Sequence, residues 1–375
     1  MLRLTHVFQL TEKAGHHAWG GAERHLRVLL PALARAGHDV EAVVMCTNPG
    51  LRIFEGLDEM RRGGVRIVQL DRHSSGHRIR KLPGVASWYL RLFAVLRGRR
   101  DRIIHLHLDL IGMPAVAAIA RCRAVCTTIH VDHPAWARFF WRWWLRRTDG
   151  VFGRYAAISR RVRSHWAVVS GAPLEKIDVI EYGLPEPEDD HVDRRELGLP
   201  ADAFVIGFVG RLVEQKNVPV LLRALAQMPD AHGCIVGDGP LRSSLEQFSG
   251  DLGLRHVHFV DGRENAARLM RAFDVLCLPS WFEGLGLVLI EAMLRGVPCI
   301  GSRAGAIPDI LEDGRSGLLF DPANPDELAQ CISLVRSNAS AIRELVDRAR
   351  QRVRERFSVE QMVQRTGGFY ARIQM

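Results

Sequence analysis

The sequence has no run of about twenty uninterrupted apolar residues, the length that a membrane-crossing helix needs. Its first residues lack the charged-then-apolar pattern of a secretory leader, because His6, Gln9 and Glu12 interrupt them. A cytoplasmic protein is expected. The seven cysteines are odd in number, contain no CxxC pair and are scattered through apolar, strand-like runs. That excludes a zinc ribbon or a redox pair and points to buried, reduced thiols. No Asp-x-Asp occurs anywhere. The turn Gly237-Asp238-Gly239 has Arg242 where a dinucleotide fingerprint needs its third glycine, so NAD binding is not expected. No RRM, KH or zinc pattern is present, which leaves little ground for nucleic-acid binding.

What is there is unevenly distributed. The 375 residues carry a net charge of +9. Residues 1–182 hold 29 Lys and Arg against 15 Asp and Glu, whereas residues 183–375 hold 22 against 27. Seven of the eight tryptophans also lie in the first half. A basic, aromatic-rich half joined to a mildly acidic one suggests that the first half meets an anionic surface.

The pattern predicts strands and helices in alternation, twice over. In the first half, strands are read at 3–10, 39–46, 65–70, 103–108, 125–129, 155–158 and 177–180. Helices are read after Gly20-Gly21-Ala22-Glu23 and over 85–96, 112–121 and 135–147, with another capped by Ser159. Residues 183–200, rich in Pro, Asp and Glu, read as a linker. The second half restarts at 204–209, an apolar run without alternation, as a strand buried on both faces shows. Glu214-Gln215-Lys216-Asn217 then open a helix. Strands at 256–260 and 274–278 flank a helix over 266–273. Turn and strand occupy 314–320, and helices cover 324–337, 342–357 and 359–370. This organisation implies two doubly wound α/β domains, each long enough to bury its own core. The boundaries are placed at 1–182 and 183–355, with a closing segment, 356–375, that returns to the first domain.

Three stretches carry chemistry. In the first, CLPSWFEGLGLVLIEAML, an apolar strand runs into a loop with Glu283, Gly284 and Gly286, and then into a helix from Leu287. A helix start presents free N–H groups and a partial positive charge, so it attracts phosphate, and glycines let the backbone approach closely. A carboxylate beside such a site repels anions, so Glu283 and Glu291 suit neutral hydroxyls or a developing cation. Glu291 can accept both hydrogen bonds of a vicinal diol. The second stretch, Gly210-Arg211 through Lys216-Asn217, places two cations five residues apart across a loop, where they can converge on one diphosphate. The third is Gly20-Gly21, another strand–turn–helix start. His130 follows the strand at 125–129, where open α/β sheets bind ligands. His105 and His107 alternate on one strand and so share a face; packing or cleft lining suits them better than a metal pair. Residues 135–147 concentrate six aromatics among arginines. As a helix they set Trp136, Phe140, Trp143 and Trp144 on one broad stripe, which suits a lipid headgroup boundary or else a core or dimer contact.

The string of Pro279-Ser280, Glu283-Gly284, Gly286, Glu291-Ala292-Met293, Gly296 and Pro298 resembles the retaining nucleotide-sugar glycosyltransferases of family GT4, of the GT-B fold. The G-R-x-x-x-x-K-N stretch is similar to that family's phosphate clamp. The resemblance implies two Rossmann-like domains facing across a cleft, the first for acceptor and the second for donor. It implies that Glu283 faces the transferred sugar, Glu291 grips the ribose hydroxyls, and Arg211, Lys216 and the amides near Gly286-Leu287 hold the diphosphate. His130 would lie near the sugar and diphosphate. The GG-x-E loop would border donor phosphates and acceptor, bringing in Gly20, Gly21, Glu23, His16 and His17. The segment at Arg263-Glu264 would border the nucleobase. With no Asp-x-Asp, cations and helix starts would replace a metal, so no metal or other cofactor is expected. Three positions depart from the pattern: Tyr182 where Asn is usual, Ala306 for a second glycine and Asp309 for Glu. The implied reaction serves lipopolysaccharide, capsule or exopolysaccharide assembly at the inner face of a membrane. Rival readings are an epimerase or hydrolase of nucleotide sugars on the same fold, and a non-catalytic lipid or nucleic-acid binding module.

Overall fold

The computed structural model describes the chain except for residues 11–20, 47–53, 72–80, 108–111, 123, 131–138, 189–191, 263–265 and 374–375. It divides into two compact units. One comprises Met1–Gly183 with Val359–Met375, the other Leu184–Ser358.

The first unit is built on a parallel sheet of seven strands: β1 (Arg3–Leu10), β2 (Asp39–Cys46), β3 (Arg66–Asp71), β4 (Ile103–His107), β5 (Ala124–Ile129), β6 (Arg154–Ala157) and β7 (Ile177–Val179). Their order is β3-β2-β1-β4-β5-β6-β7. The chain runs outward from β1 in one direction, then returns to β4 and runs outward in the other. β1, β2 and β4 are almost wholly buried, as strands covered by helices on both faces must be. Leu26, Leu29, Leu30 and Leu33 of the helix Gly21–Arg35 pack into the same core as Met362, Phe369 and Tyr370 of the helix Val359–Ile373. At the amino end of the sheet, buried Arg102 ties three strand starts together. Its guanidinium donates to Leu4 O (2.7 Å), Thr5 Oγ1 (2.8 Å) and Asp39 Oδ2 (2.6 Å). The hydrogen bond from Arg102 holds the Asp39 carboxyl below its usual range. Charge thus closes the amino edge and leaves the carboxyl edge for ligands.

The second unit repeats the plan with six strands: β8 (Phe204–Val209), β9 (Ala231–Val236), β10 (Val257–Val260), β11 (Val275–Leu278), β12 (Cys299–Ser302) and β13 (Leu318–Phe320). The order is β10-β9-β8-β11-β12-β13, again parallel throughout. Both sheets match the doubly wound expectation, but several local readings need correction. Residues Ala266–Ala272 form a 3-10 helix rather than an α-helix. Glu214–Lys216 is also a 3-10 turn, and the α-helix opens only at Val218, after Asn217 takes a left-handed φ of 50°. Helices Phe54–Arg62 and Arg242–Asp251 have no counterpart in the sequence reading. None of the seven cysteines forms a disulfide; six are buried and Cys122 partly so.

Five histidines are buried in the first unit: His6, His25, His105, His107 and His130. Loss of water disfavours the imidazolium, so burial pulls all five below the ordinary 6.5, His6 and His130 to about 3. Each stays neutral in the fold but takes up a proton once unfolded below pH 6.5. Stability from this source is therefore complete above pH 6.5 and falls as pH drops toward about 3. The loss is about 1.4 kcal/mol per pH unit for each ring. The five rings together make the first unit sensitive to acid over that range. Limited proteolysis at stepped pH is expected to open 1–183 ahead of 184–358 as pH falls from 6.5 toward about 3. Equal resistance of the two units throughout that range would count against rings held neutral in the fold.

Candidate active site

In the second sheet β8 has β9 on one side and β11 on the other, so the connections leaving their carboxyl ends diverge. Such a switch point opens a crevice. Three loops meet there. The loop after β8 is braced from beneath by the Gly237-Asp238-Gly239 turn, for Gly210 N donates to Val236 O (3.0 Å) and Leu212 N to Asp238 O (2.8 Å). Both glycines are needed for this close approach, since a Cβ on Gly237 would lie 1.9 Å from Gly210 O and one on Gly239 2.3 Å from Leu212 O. The loops after β8 and β11 are stitched by Trp281 N to Gln215 O and Gln215 Nε2 to Phe282 O, both 2.8 Å. Lys216 Nζ then pairs with Glu283 Oε1 at 2.5 Å, and Ser280 Oγ donates to the same oxygen at 2.7 Å. The loop after β12 lies under Glu283, where Ala306 N donates to Glu283 O (3.0 Å). A Cβ on Gly305 would fall 2.4 Å from Glu283 N, and its φ of +58° is left-handed, so only glycine fits.

Glu283 is buried, and its charge is met by one ammonium and one hydroxyl. Beyond it, Gly286 turns left-handed (φ 89°) and the helix Leu287–Leu294 begins with no side-chain cap. Among the described residues, the amides of Leu287 and Val288 donate to nothing. Gly284 and Leu287 are partly accessible, as is Glu291 one turn along. Arg211 is exposed, and its side chain has no ion pair among the described residues. The second unit thus gathers Arg211, a neutralised Lys216–Glu283 pair and an open helix start along one sheet edge. Arg263 and Glu264 lie outside the described residues.

In the first unit, Gly21 opens the helix Gly21–Arg35, Glu23 stands in its first turn and His25 follows. His16, His17 and Gly20 lie outside the described residues. His25 stacks on Tyr182, with ring centroids 4.0 Å apart and planes within 15°. The Tyr182 hydroxyl bonds His130 Nδ1, and His130 Nε2 meets His107 Nδ1 at 3.0 Å. Both nitrogens of His130 are therefore engaged inside the unit. Tyr182 occupies the position where the family pattern has asparagine, and it supplies a polar contact from its hydroxyl instead. Burial lifts its phenol far above the usual range, and the charge of Glu23 adds to this. His25 Nδ1 is buried without a partner among the described residues.

The basic aromatic segment forms the helix Phe139–Thr148. Trp143 is 47 % exposed, with the Arg147 guanidinium over its ring at 5.3 Å, and Trp144 is half-buried beside it. Trp136 and the side chain of Phe140 lie outside the described residues. No helix among the described residues is long and apolar enough to cross a membrane.

Ser280, Gln215, His25 and Tyr182 were not singled out as contacts from sequence. Ser280 stands three residues before Glu283, a local signal that could have found it. The other three meet partners that are distant in the chain.

The family model described as "Glycosyl transferases group 1" matches residues 189–356, and "Glycosyltransferase Family 4" matches residues 19–185. An uncharacterised glycosyltransferase of Methanocaldococcus jannaschii is 29 % identical over 228 residues, 57 % of this chain and 58 % of its own length. The chain thus spans little more than half of that relative. The lipopolysaccharide core biosynthesis glycosyltransferase LpsE of Rhizobium meliloti is 26 % identical over 343 residues, 91 % of this chain and 93 % of its own. Among solved structures, Anabaena Alr3699/HepE, crystallised with UDP and glucose, superposes with a TM-score of 0.80 over 99 % of this chain and 100 % of its own, at 22 % identity. The two sheets have the architecture of the GT-B fold, and with both models matched the chain belongs to the group 1, family 4 glycosyltransferases.

Proposed function

We propose that the protein is a retaining, metal-independent hexosyltransferase that moves a sugar from a nucleoside diphosphate donor to a saccharide or lipid-linked acceptor. The observation that carries this reading is the meeting of Lys216 and Glu283 above β8 and β11, beside an uncapped helix start and exposed Arg211. The second unit takes the donor. Arg211 and the amides of Leu287 and Val288 receive the diphosphate, and Lys216 is shared between phosphate and Glu283. Glu291 accepts the ribose hydroxyls. Relatives named for glycosyl transfer, one of them in lipopolysaccharide core biosynthesis, support the reaction class and an envelope role. A structural neighbour holding UDP and glucose supports the donor class.

In the reaction, the bond from the anomeric carbon to the diphosphate oxygen breaks. A bond from the same carbon to the acceptor oxygen forms on the same face. The acceptor's proton passes to the departing phosphate. Charge building on that phosphate is stabilised by the cations and amides, and each such donor is worth about 3 kcal/mol in a dry site. Glu283 supports the positive charge at carbon. No divalent ion is needed in this scheme, because the leaving charge is already met. His130 can orient a sugar hydroxyl or the phosphate only by giving up its bond to Tyr182 or to His107.

The first unit takes the acceptor through Glu23, His16 and His17, while Gly20 and Gly21 add their backbone to the donor diphosphate. Its helix Phe139–Thr148 rests on the inner face of an anionic membrane, with Trp143 at the headgroup level and arginines around it. Nucleic acid is not a partner.

Lys216→Ala and Glu291→Ala are each expected to lower turnover at least tenfold once a thermal-shift screen of nucleotide sugars has found the donor. Lys216→Ala also strands a buried carboxylate at a cost of about 3 kcal/mol, so its fold is checked by melting. Unchanged turnover in both variants sinks the site. Labelled donor incubated without acceptor should be consumed slowly; rapid consumption favours a hydrolase. Separately, the protein should pellet with anionic vesicles and not with neutral ones. Trp143→Ala with Trp144→Ala should weaken pelleting severalfold, and equal pelleting removes the membrane contact.

A further inference from the structure

Seven buried side chains of the first unit form an unbroken series of hydrogen bonds. Thr128 Oγ1 meets His105 Nε2 (2.7 Å), and His105 Nδ1 meets the Tyr370 hydroxyl (2.8 Å). Tyr370 meets His6 Nε2 (3.2 Å), and His6 Nδ1 meets His107 Nε2 (3.0 Å). His107 Nδ1 meets His130 Nε2 (3.0 Å), and His130 Nδ1 meets Tyr182. The rings come from β1, β4, the residue after β5 and the helix Val359–Ile373, converging at the β1/β4 switch of the first sheet.

A neutral imidazole has one N–H and one lone pair, so it must donate at one nitrogen and accept at the other. A hydroxyl between two rings does likewise. One choice therefore propagates along the whole series. If Tyr182 donates to His130, all four rings carry hydrogen on Nε2 and Thr128 accepts. If Thr128 donates, all four carry it on Nδ1 and Tyr182 accepts. A mixture sets two N–H groups or two lone pairs against each other in a buried place, which forfeits a hydrogen bond and its desolvation cost. Among the described residues, neither terminal hydroxyl has a further partner. One direction leaves the Thr128 hydrogen without an acceptor, and the other leaves that of Tyr182, so the two ends oppose each other.

We propose that this series is a two-state wire whose direction decides which nitrogen of His130 carries hydrogen and whether Tyr182 donates or accepts. Thr128, His105, Tyr370, His6 and His107 are then positioning residues for the carboxyl edge of β5. A group that accepts from the Tyr182 hydroxyl favours the all-Nδ1 state, so the wire couples the occupant of that edge to the helix Val359–Ile373. The proposal rests on the acceptor reading only for what that occupant is.

A metal is the competing account, because nitrogens of His6, His105 and His107 lie within 4.8 Å of one another. All six of their ring nitrogens already have hydrogen-bond partners, however. The charge of Arg102 also bears on His6 and opposes a second cation there.

The test reads tautomers directly, without turnover. Full-length protein labelled with 15N at histidine is examined by long-range 1H–15N spectra at pH 7.5. Thr128→Val strands His105 Nε2, and a buried N–H without a partner is less tolerated than a lone pair. That variant should drive the wire toward Nδ1–H, read at His130. Tyr182→Phe strands His130 Nδ1 and should drive it toward Nε2–H, read at His105. Whichever direction the wild type holds, at least one variant should shift the far ring about tenfold in population. Adding Tyr370→Phe, which removes one oxygen from the middle, should abolish either shift. The proposal falls if neither end variant moves the far ring, or if a shift persists with Tyr370→Phe. A doubly protonated His130 or a stoichiometric metal in the purified protein also overturns it.

Discussion

An ionised carboxylate in the interior costs several kcal/mol unless a counter-charge and hydrogen bonds meet it. Glu283 is such a group, and its requirements organise the second unit's ligand edge. Lys216 must reach it from the loop after β8, which fixes that loop against the Gly237-Asp238-Gly239 turn. Ser280 must turn its hydroxyl inward, and the backbone at Gly305 must come within van der Waals range of Glu283. Neutralising Lys216 and Glu283 against each other leaves Arg211 and the uncapped helix start as the local positive field. On the proposed reading, an arriving phosphate would meet a site whose strongest internal charges are already balanced. Its binding then depends on how readily the ammonium can serve two anions.

The first unit answers the same problem differently. Near its carboxyl edge it buries a set of polar rings that carry no charge. Five imidazoles are held neutral by burial, and four of them are linked with Thr128, Tyr370 and Tyr182 in one series of hydrogen bonds. A cluster of ion pairs lies at the amino edge of this unit, around Arg102, Asp39 and Glu41.

Fold class was legible because strands such as Phe204–Val209 are apolar without alternation, and helices begin at glycine turns. Helices Phe54–Arg62 and Arg242–Asp251 were missed because they are short, interrupted by Gly56 and Gly250, and poor in apolar residues. The break before Val218 was missed because an Asn in left-handed conformation reads like any helix opening. The loops bearing Glu283 and Lys216 were visible as glycine-rich starts. Their pairing was not, since 67 residues separate them. The histidine series is the extreme case. Alternation shows that His105 and His107 share a face, but nothing local announces His6, Tyr182 or Tyr370 as their partners. Such contacts exist only once the sheet order is known.

The helix Val359–Ile373 belongs to the unit that the first 183 residues begin. Its Phe369 and Tyr370 fill that unit's core, and Arg365 meets buried Glu181 at 2.9 Å. During synthesis the first unit therefore waits, missing one wall and a polar partner for two histidines, while the whole second unit emerges. The order of completion on the ribosome is the reverse of the order of translation. A nascent chain carries an open, histidine-lined hydrophobic face for the time it takes to make about half of the protein.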